Sequence, residues 1–214
     1  MPRPFPRWGQ ARLPCTRQNM GTELRIMALA GGEPVTLARG VEGSELVSWS
    51  PGGQFLTYAG GSPTSVFTVA TAGGAPRRLA EGDYPVWSPD GRWIAFAVWT
   101  DATDPRQGTW IIHPDGTGAR QVNASPTRTV WRPDGQALWQ LRRGSHALEL
   151  WECSEKDWHC HRRSVLNLGS EPSPYAEYVP FSVDMTTGTL AIHRRTTTGR
   201  LTIFSGIDPD RWIR

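Results

Sequence analysis

One five-residue phrase recurs at nearly constant spacing along the chain: Trp49-Ser50-Pro51-Gly52-Gly53, Trp87-Ser88-Pro89-Asp90-Gly91 and Trp131-Arg132-Pro133-Asp134-Gly135. The tryptophans stand 38 and 44 positions apart, and Trp8 lies 41 before the first of them. Proline presets φ and the last glycine accepts a positive φ, so each phrase ends a strand in a tight turn. A period near 40 describes a small unit that cannot bury its own apolar faces and is completed by the next copy.

Within one period the pattern has four beats. After the turn at 89–91, Arg92–Trp99 reads as an apolar strand long enough to be buried on both faces. Residues 100–108 are polar and turn-rich, Thr109–His113 makes a third strand, Pro114-Asp115-Gly116 turns again, and Ala119–Val122 makes a fourth. Four antiparallel strands in about 40 residues describe one blade of a β-propeller. Blade two repeats the beats, and its Ala72-Gly73-Gly74 turn matches Ala30-Gly31-Gly32 of blade one, 42 positions earlier. The whole chain, 1–214, then reads as one all-β array of about five blades, near 5–40, 46–80, 84–123, 128–168 and 177–214. No segment shows helical periodicity.

These repeats resemble the TolB-like, WD40-like β-propeller family, with good coverage over roughly residues 40–135 and weaker coverage on the flanks. Blade four has Arg132 where the phrase has Ser and lacks the second glycine turn; blade five lacks Trp and Pro-Asp-Gly altogether. The fifth blade offers only Trp212-Ile213 as a fourth strand, and three prolines in the first six residues make a poor closing strand. The expectation is therefore a piece of a larger propeller, or an array completed by another segment, that does not close into a ring alone.

Composition narrows the class further. Gly (23) and Pro (18) are abundant without a collagen period, as many turns require. Net charge is +3 with Lys156 as the sole lysine, so the basic side is almost wholly Arg, which suits carboxylate or phosphate partners. Acidic residues are interspersed, and no nucleic-acid partner is expected. The chain as written has no signal-peptide run and no membrane-length apolar stretch, which predicts no membrane insertion and leaves the compartment to any export signal on a parent protein.

Candidate sites are sparse. Arg142-Arg143 and Arg194-Arg195 end the second strands of blades four and five, and Arg106 lies in the corresponding loop of blade three. Together they form a candidate basic rim on the face where second strands join third strands, able to hold a carboxylate, phosphate or acidic protein loop; solvated arginines are the plainer alternative. Cys153, His159, Cys160 and His161 crowd one hairpin, read first as ordinary hairpin residues, with a cross-strand disulfide and a zinc site as the alternatives. Asp90, Asp115 and Asp134 are expected to cap turns rather than act as acids or bases. Trp49, Trp87 and Trp131 are expected to be buried between blades. No catalytic constellation, metal site or cofactor site stands out. The leading expectation is a non-catalytic scaffold that binds a protein or peptide through one loop face or the central channel, with a small anionic ligand as a further option. The alternatives are a propeller enzyme or enzyme-accessory domain, of the polysaccharide-lyase or peptidase-gating kind that the resemblance implies, and an inactive fragment of a larger protein.

Overall fold

The computed structural model describes residues 22–41, 47–144, 147–166, 181–184, 189–192 and 202–204. These residues hold seventeen strands and no helix, and so no helix long and apolar enough to cross a membrane. Blade one contributes β1 (Glu23–Ile26) and β2 (Val35–Arg39). Blade two is β3 (Val47–Trp49), β4 (Phe55–Gly60), β5 (Ser65–Ala70) and β6 (Arg77–Glu81). Blade three is β7 (Asp83–Trp87), β8 (Ile94–Val98), β9 (Gly108–Ile112) and β10 (Arg120–Asn123). Blade four is β11 (Thr129–Trp131), β12 (Ala137–Arg143), β13 (Leu148–Ser154) and β14 (Cys160–Leu166). Blade five shows β15 (Phe181–Asp184), β16 (Thr189–Ile192) and β17 (Thr202–Phe204). Every sheet is an antiparallel meander in chain order, which is the four-stranded blade of a β-propeller.

The recurring phrase makes the same turn three times. The amide of Ser50 donates to Phe55 O at 2.9 Å, that of Ser88 to Trp93 O at 2.8 Å, and that of Arg132 to Ala137 O at 2.8 Å. The closing glycines have φ of 68°, 74° and 74° at Gly53, Gly91 and Gly135, a left-handed region where a Cβ is strained. Asp90 Oδ1 accepts from the Arg92 amide at 3.0 Å, and Asp134 Oδ1 from the Gln136 amide at 3.0 Å. Asp115 does the same for Thr117 at 2.9 Å, so all three aspartates cap turns. The Gly-Gly turns also match: φ is 95° and 124° at Gly31 and Gly32, against 96° and 118° at Gly73 and Gly74.

The core lies between blades rather than within them. Alternate residues of β8 serve different neighbours: Ile94, Phe96 and Val98 pack with Val66 of blade two, while Ala95 packs with Trp131 and Leu138 of blade four. A further layer joins blades one and two through Leu24, Leu37, Leu56 and Tyr58. Another joins blades four and five through Trp139, Leu150, Phe181 and Leu190.

Two expectations need correction. Trp87 and Trp131 are 8% and 6% exposed, but Trp49 is 52% exposed. Trp131 rests on the first strand of the preceding blade, donating from Nε1 to Val86 O at 3.1 Å, and the Trp87 amide donates to Ser48 Oγ at 3.0 Å. The described part of blade one holds only the strands that flank its Gly-Gly turn, the third and fourth of a blade, so its described residues give Trp49 no such seat. Second, Cys153 and Cys160 form a disulfide instead of remaining ordinary hairpin residues. The β13–β14 register places them directly opposite, with Cα atoms 3.9 Å apart. Both sulfurs are thereby consumed, and with them half of the donors a zinc site on this hairpin would need.

Among the described residues no ladder joins blade one to blade five. The proline-rich start and the Trp212-Ile213 segment lie outside the described residues.

Trp87→Ala should lower unfolding free energy by roughly 3–5 kcal/mol, as for other buried aromatics. Trp49→Ala should cost less than about 1 kcal/mol, in the range of surface changes. Urea unfolding of the two variants checks the difference, and equal losses would refute the inter-blade seat.

Candidate functional site

On the face where second strands run into third strands, a cleft of about 730 Å³ opens between blades three and four. One wall is the loop that leaves β8, with Trp99, Thr100 and Asp101; another is the link from β10 to β11, with Ser125 and Thr127. The third comes from the paired ends of β12 and β13, with Arg142, Arg143, Glu149 and Trp151. Gly108 makes this meeting possible. At φ 147° its backbone passes so close to the β10 end that a Cβ would collide with the Asn123 carbonyl. Trp99 is held edge-on against Tyr84, at 6.5 Å and 87°, while the Arg128 guanidinium covers that tyrosine ring at 4.2 Å.

Behind the cleft wall stands Gln140, a fully buried amide among the apolar residues Ala137–Leu141. Its Nε2 donates to Thr109 Oγ1 at 2.7 Å, and the Thr109 hydroxyl donates to Ser125 O at 2.8 Å. The amide is therefore fixed with Oε1 facing Asn123 Nδ2 (3.0 Å) and the guanidinium of Arg142. Arg142 donates to it from Nη2 at 2.6 Å and from Nε at 3.2 Å, and lies over the Trp151 ring at 4.5 Å. Half-buried there, Arg142 is pulled down to about 10 by loss of solvent, with Glu149 opposing the shift, and it stays charged at neutral pH. Among the described residues no carboxylate stands within ion-pair distance of it. Glu149 itself is taken: Arg162 Nη1 donates to it at 2.7 Å and Trp151 Nε1 at 2.9 Å. The hydroxyls of Thr100 and Thr127 are buried without a partner among the described residues.

The five arginines of the expected rim therefore do not act alike. Arg142 and Arg143 line the cleft, Arg143 being exposed. Arg106 is instead neutralised by Asp104 at 2.7 Å and Glu81 at 3.0 Å, and it faces a separate, shallower hollow with Phe96 and Trp110. Arg194 and Arg195 lie outside the described residues. Two arginines of the outer strands are tied down as well. Arg163 reaches the buried Glu152 at 2.6 Å, whose other oxygen accepts from Trp139 Nε1 at 2.9 Å, and Arg77 donates to Asp115 O of the next blade. Sequence reasoning missed Gln140, Trp151, Thr100 and Thr127. Gln140 carried a readable signal, since a polar side chain at an inward position of the run Ala137–Leu141 requires buried partners. Among the described residues no three His, Cys, Asp or Glu side chains converge as metal ligands. His113 stacks on Trp93 at 3.9 Å on the opposite face.

No family model matches the chain. It is similar to an uncharacterized protein of Agrobacterium fabrum, 28% identical over 123 residues, a match covering 47% of this chain and 42% of that one. Among solved structures it resembles TolB from Acinetobacter baumannii, with a TM-score of 0.60 and 12% identity over 86% of this chain and 48% of TolB. It also resembles the oligogalacturonate lyase of Vibrio parahaemolyticus, with a TM-score of 0.63 and 14% identity over 88% of this chain and 58% of the lyase. The chain has the fold of the TolB-like β-propellers. It spans about half the length of the relatives it matches.

Hydrogen bonding from Arg162, aided by Trp151 and opposed by partial desolvation, holds the Glu149 carboxyl below the usual carboxylate range. A depressed folded value adds stability above the unfolded value of about 4.3, lost as pH falls through the folded one. Glu149→Gln should therefore be less stable than the parent at neutral pH and converge with it in acid. Thermal melts from neutral pH down to acid check this, and a constant gap would refute it.

Proposed function

We propose that this chain is a non-catalytic propeller unit that binds a protein or peptide segment on the face bearing the cleft between blades three and four. The observation that carries the reading is the make-up of that cleft. It is concave and lined by Trp99 and Trp151, with a few polar groups such as Arg142 and Glu149 among them, the combination that recognition sites share. Its wall is built by two loops and two strand ends of adjacent blades, so a bound segment would touch both blades at once. The cleft is also open rather than enclosed, which suits an extended segment better than a small molecule that must be surrounded. The resemblance to TolB and to the oligogalacturonate lyase supports the scaffold, and the cleft supports the role.

A random-peptide phage library panned against the protein should yield ligands. Ala102→Trp, which places a large ring in the exposed cleft wall, should weaken them by about tenfold or more, equivalent to one good contact. Circular dichroism and melting temperature should be unchanged. A library that enriches nothing, or ligands indifferent to Ala102→Trp, would overturn the reading.

A further inference from the structure

We propose that the cleft seats a carboxylate of a bound peptide, from an acidic side chain or a free chain end, on the guanidinium of Arg142. The proposal rests on the peptide-binding reading above and names the group that would be recognised. Five other arginines of blades three and four each hold a carboxylate within ion-pair distance: Arg92, Arg106, Arg132, Arg162 and Arg163. Arg142 is half-buried, yet its Nε and Nη2 share one neutral acceptor, Gln140 Oε1. Its Nη1 has no acceptor among the described residues. A partly desolvated cation whose hydrogen bonds go to a neutral acceptor is only partly compensated by the more distant Glu149, and an entering carboxylate relieves it.

The rest of the cleft agrees with this. With one edge of the guanidinium on Gln140, the outer edge formed by Nη1 and the second Nη2 proton remains, and it matches the two oxygens of a carboxylate. Thr100 and Thr127 line the wall, and their hydroxyls have no partner among the described residues. Glu149 does not compete for Arg142, because Arg162 and Trp151 already hold it. Asp101 also lines the cleft, as does Arg143. These two acidic groups favour a singly charged carboxylate over a doubly charged phosphate, since like charges repel. The Trp99 and Trp151 rings give the flanking peptide apolar surface.

The experiment uses the indole N–H signals of the nitrogen-15-labelled protein, with Trp99 and Trp151 assigned from single Trp→Phe variants. Three probes are titrated: N-acetyl-Ala-Glu-Ala-amide, N-acetyl-Ala-Gln-Ala-amide, and N-acetyl-Ala-Ala-Ala with its free carboxyl end. At least one carboxylate probe should shift the Trp151 signal saturably, and about tenfold more tightly than the glutamine probe. Arg142→Gln should abolish that preference, and Arg142→Lys should keep part of it. The arm that binds tells side chain from chain end. Equal binding of the glutamine probe, no saturable shift from either carboxylate, or a preference that survives Arg142→Gln would overturn the proposal. In each of those cases library peptides sensitive to Ala102→Trp would leave the peptide-binding reading standing.

Discussion

Everything in this molecule depends on a sheet that is apolar on both sides. A β-strand sends successive side chains to opposite faces, and β8 is buried at all five positions, so neither face of blade three can meet water. Blade three is therefore stable only between blades two and four, and the same holds along the array. Polar bonds then set the angle at which blades meet. The Trp131 indole reaches back to Val86 O, and Arg92 and Trp93 reach forward to Glu155 at 2.9 and 3.2 Å. Apolar layers supply most of the cohesion between blades, and these directional contacts fix the register.

Turn chemistry made the fold readable. Pro-Asp-Gly and Gly-Gly need particular backbone angles, and those needs appear in the residue types themselves. That is why the third and fourth strands of blade one were placed by the match of Ala30-Gly31-Gly32 to Ala72-Gly73-Gly74. Burial was less readable, because it belongs to a pair of blades and not to a motif. Trp49 carries the same phrase as Trp87, yet only the latter has a described neighbour to cover it. The hairpin of Cys153 and Cys160 shows a related limit, since whether two cysteines meet depends on register, and no turn residue there fixed it.

The candidate site was only partly legible for a physical reason. Position along a strand placed Arg142 and Arg143 on the loop face, and that is local information. What separates Arg142 from Arg106 is the company each keeps. Asp104 sits two residues from Arg106 and neutralises it within its own turn. Arg142 faces an amide whose orientation is settled by Thr109 on the adjacent blade. Long-range pairing of this kind leaves little trace in composition or spacing.

The bonds running from Ser125 O through Thr109 and Gln140 to Arg142 have a mechanical consequence. They cross the seam between two blades, in line with the cleft. A load applied to Arg142 from outside is passed through a buried amide to the backbone of the neighbouring blade, and does not bend one strand end alone. Tension at the cleft would thus be shared by two sheets, so the seam resists being prised apart at the point where a tethered partner would pull.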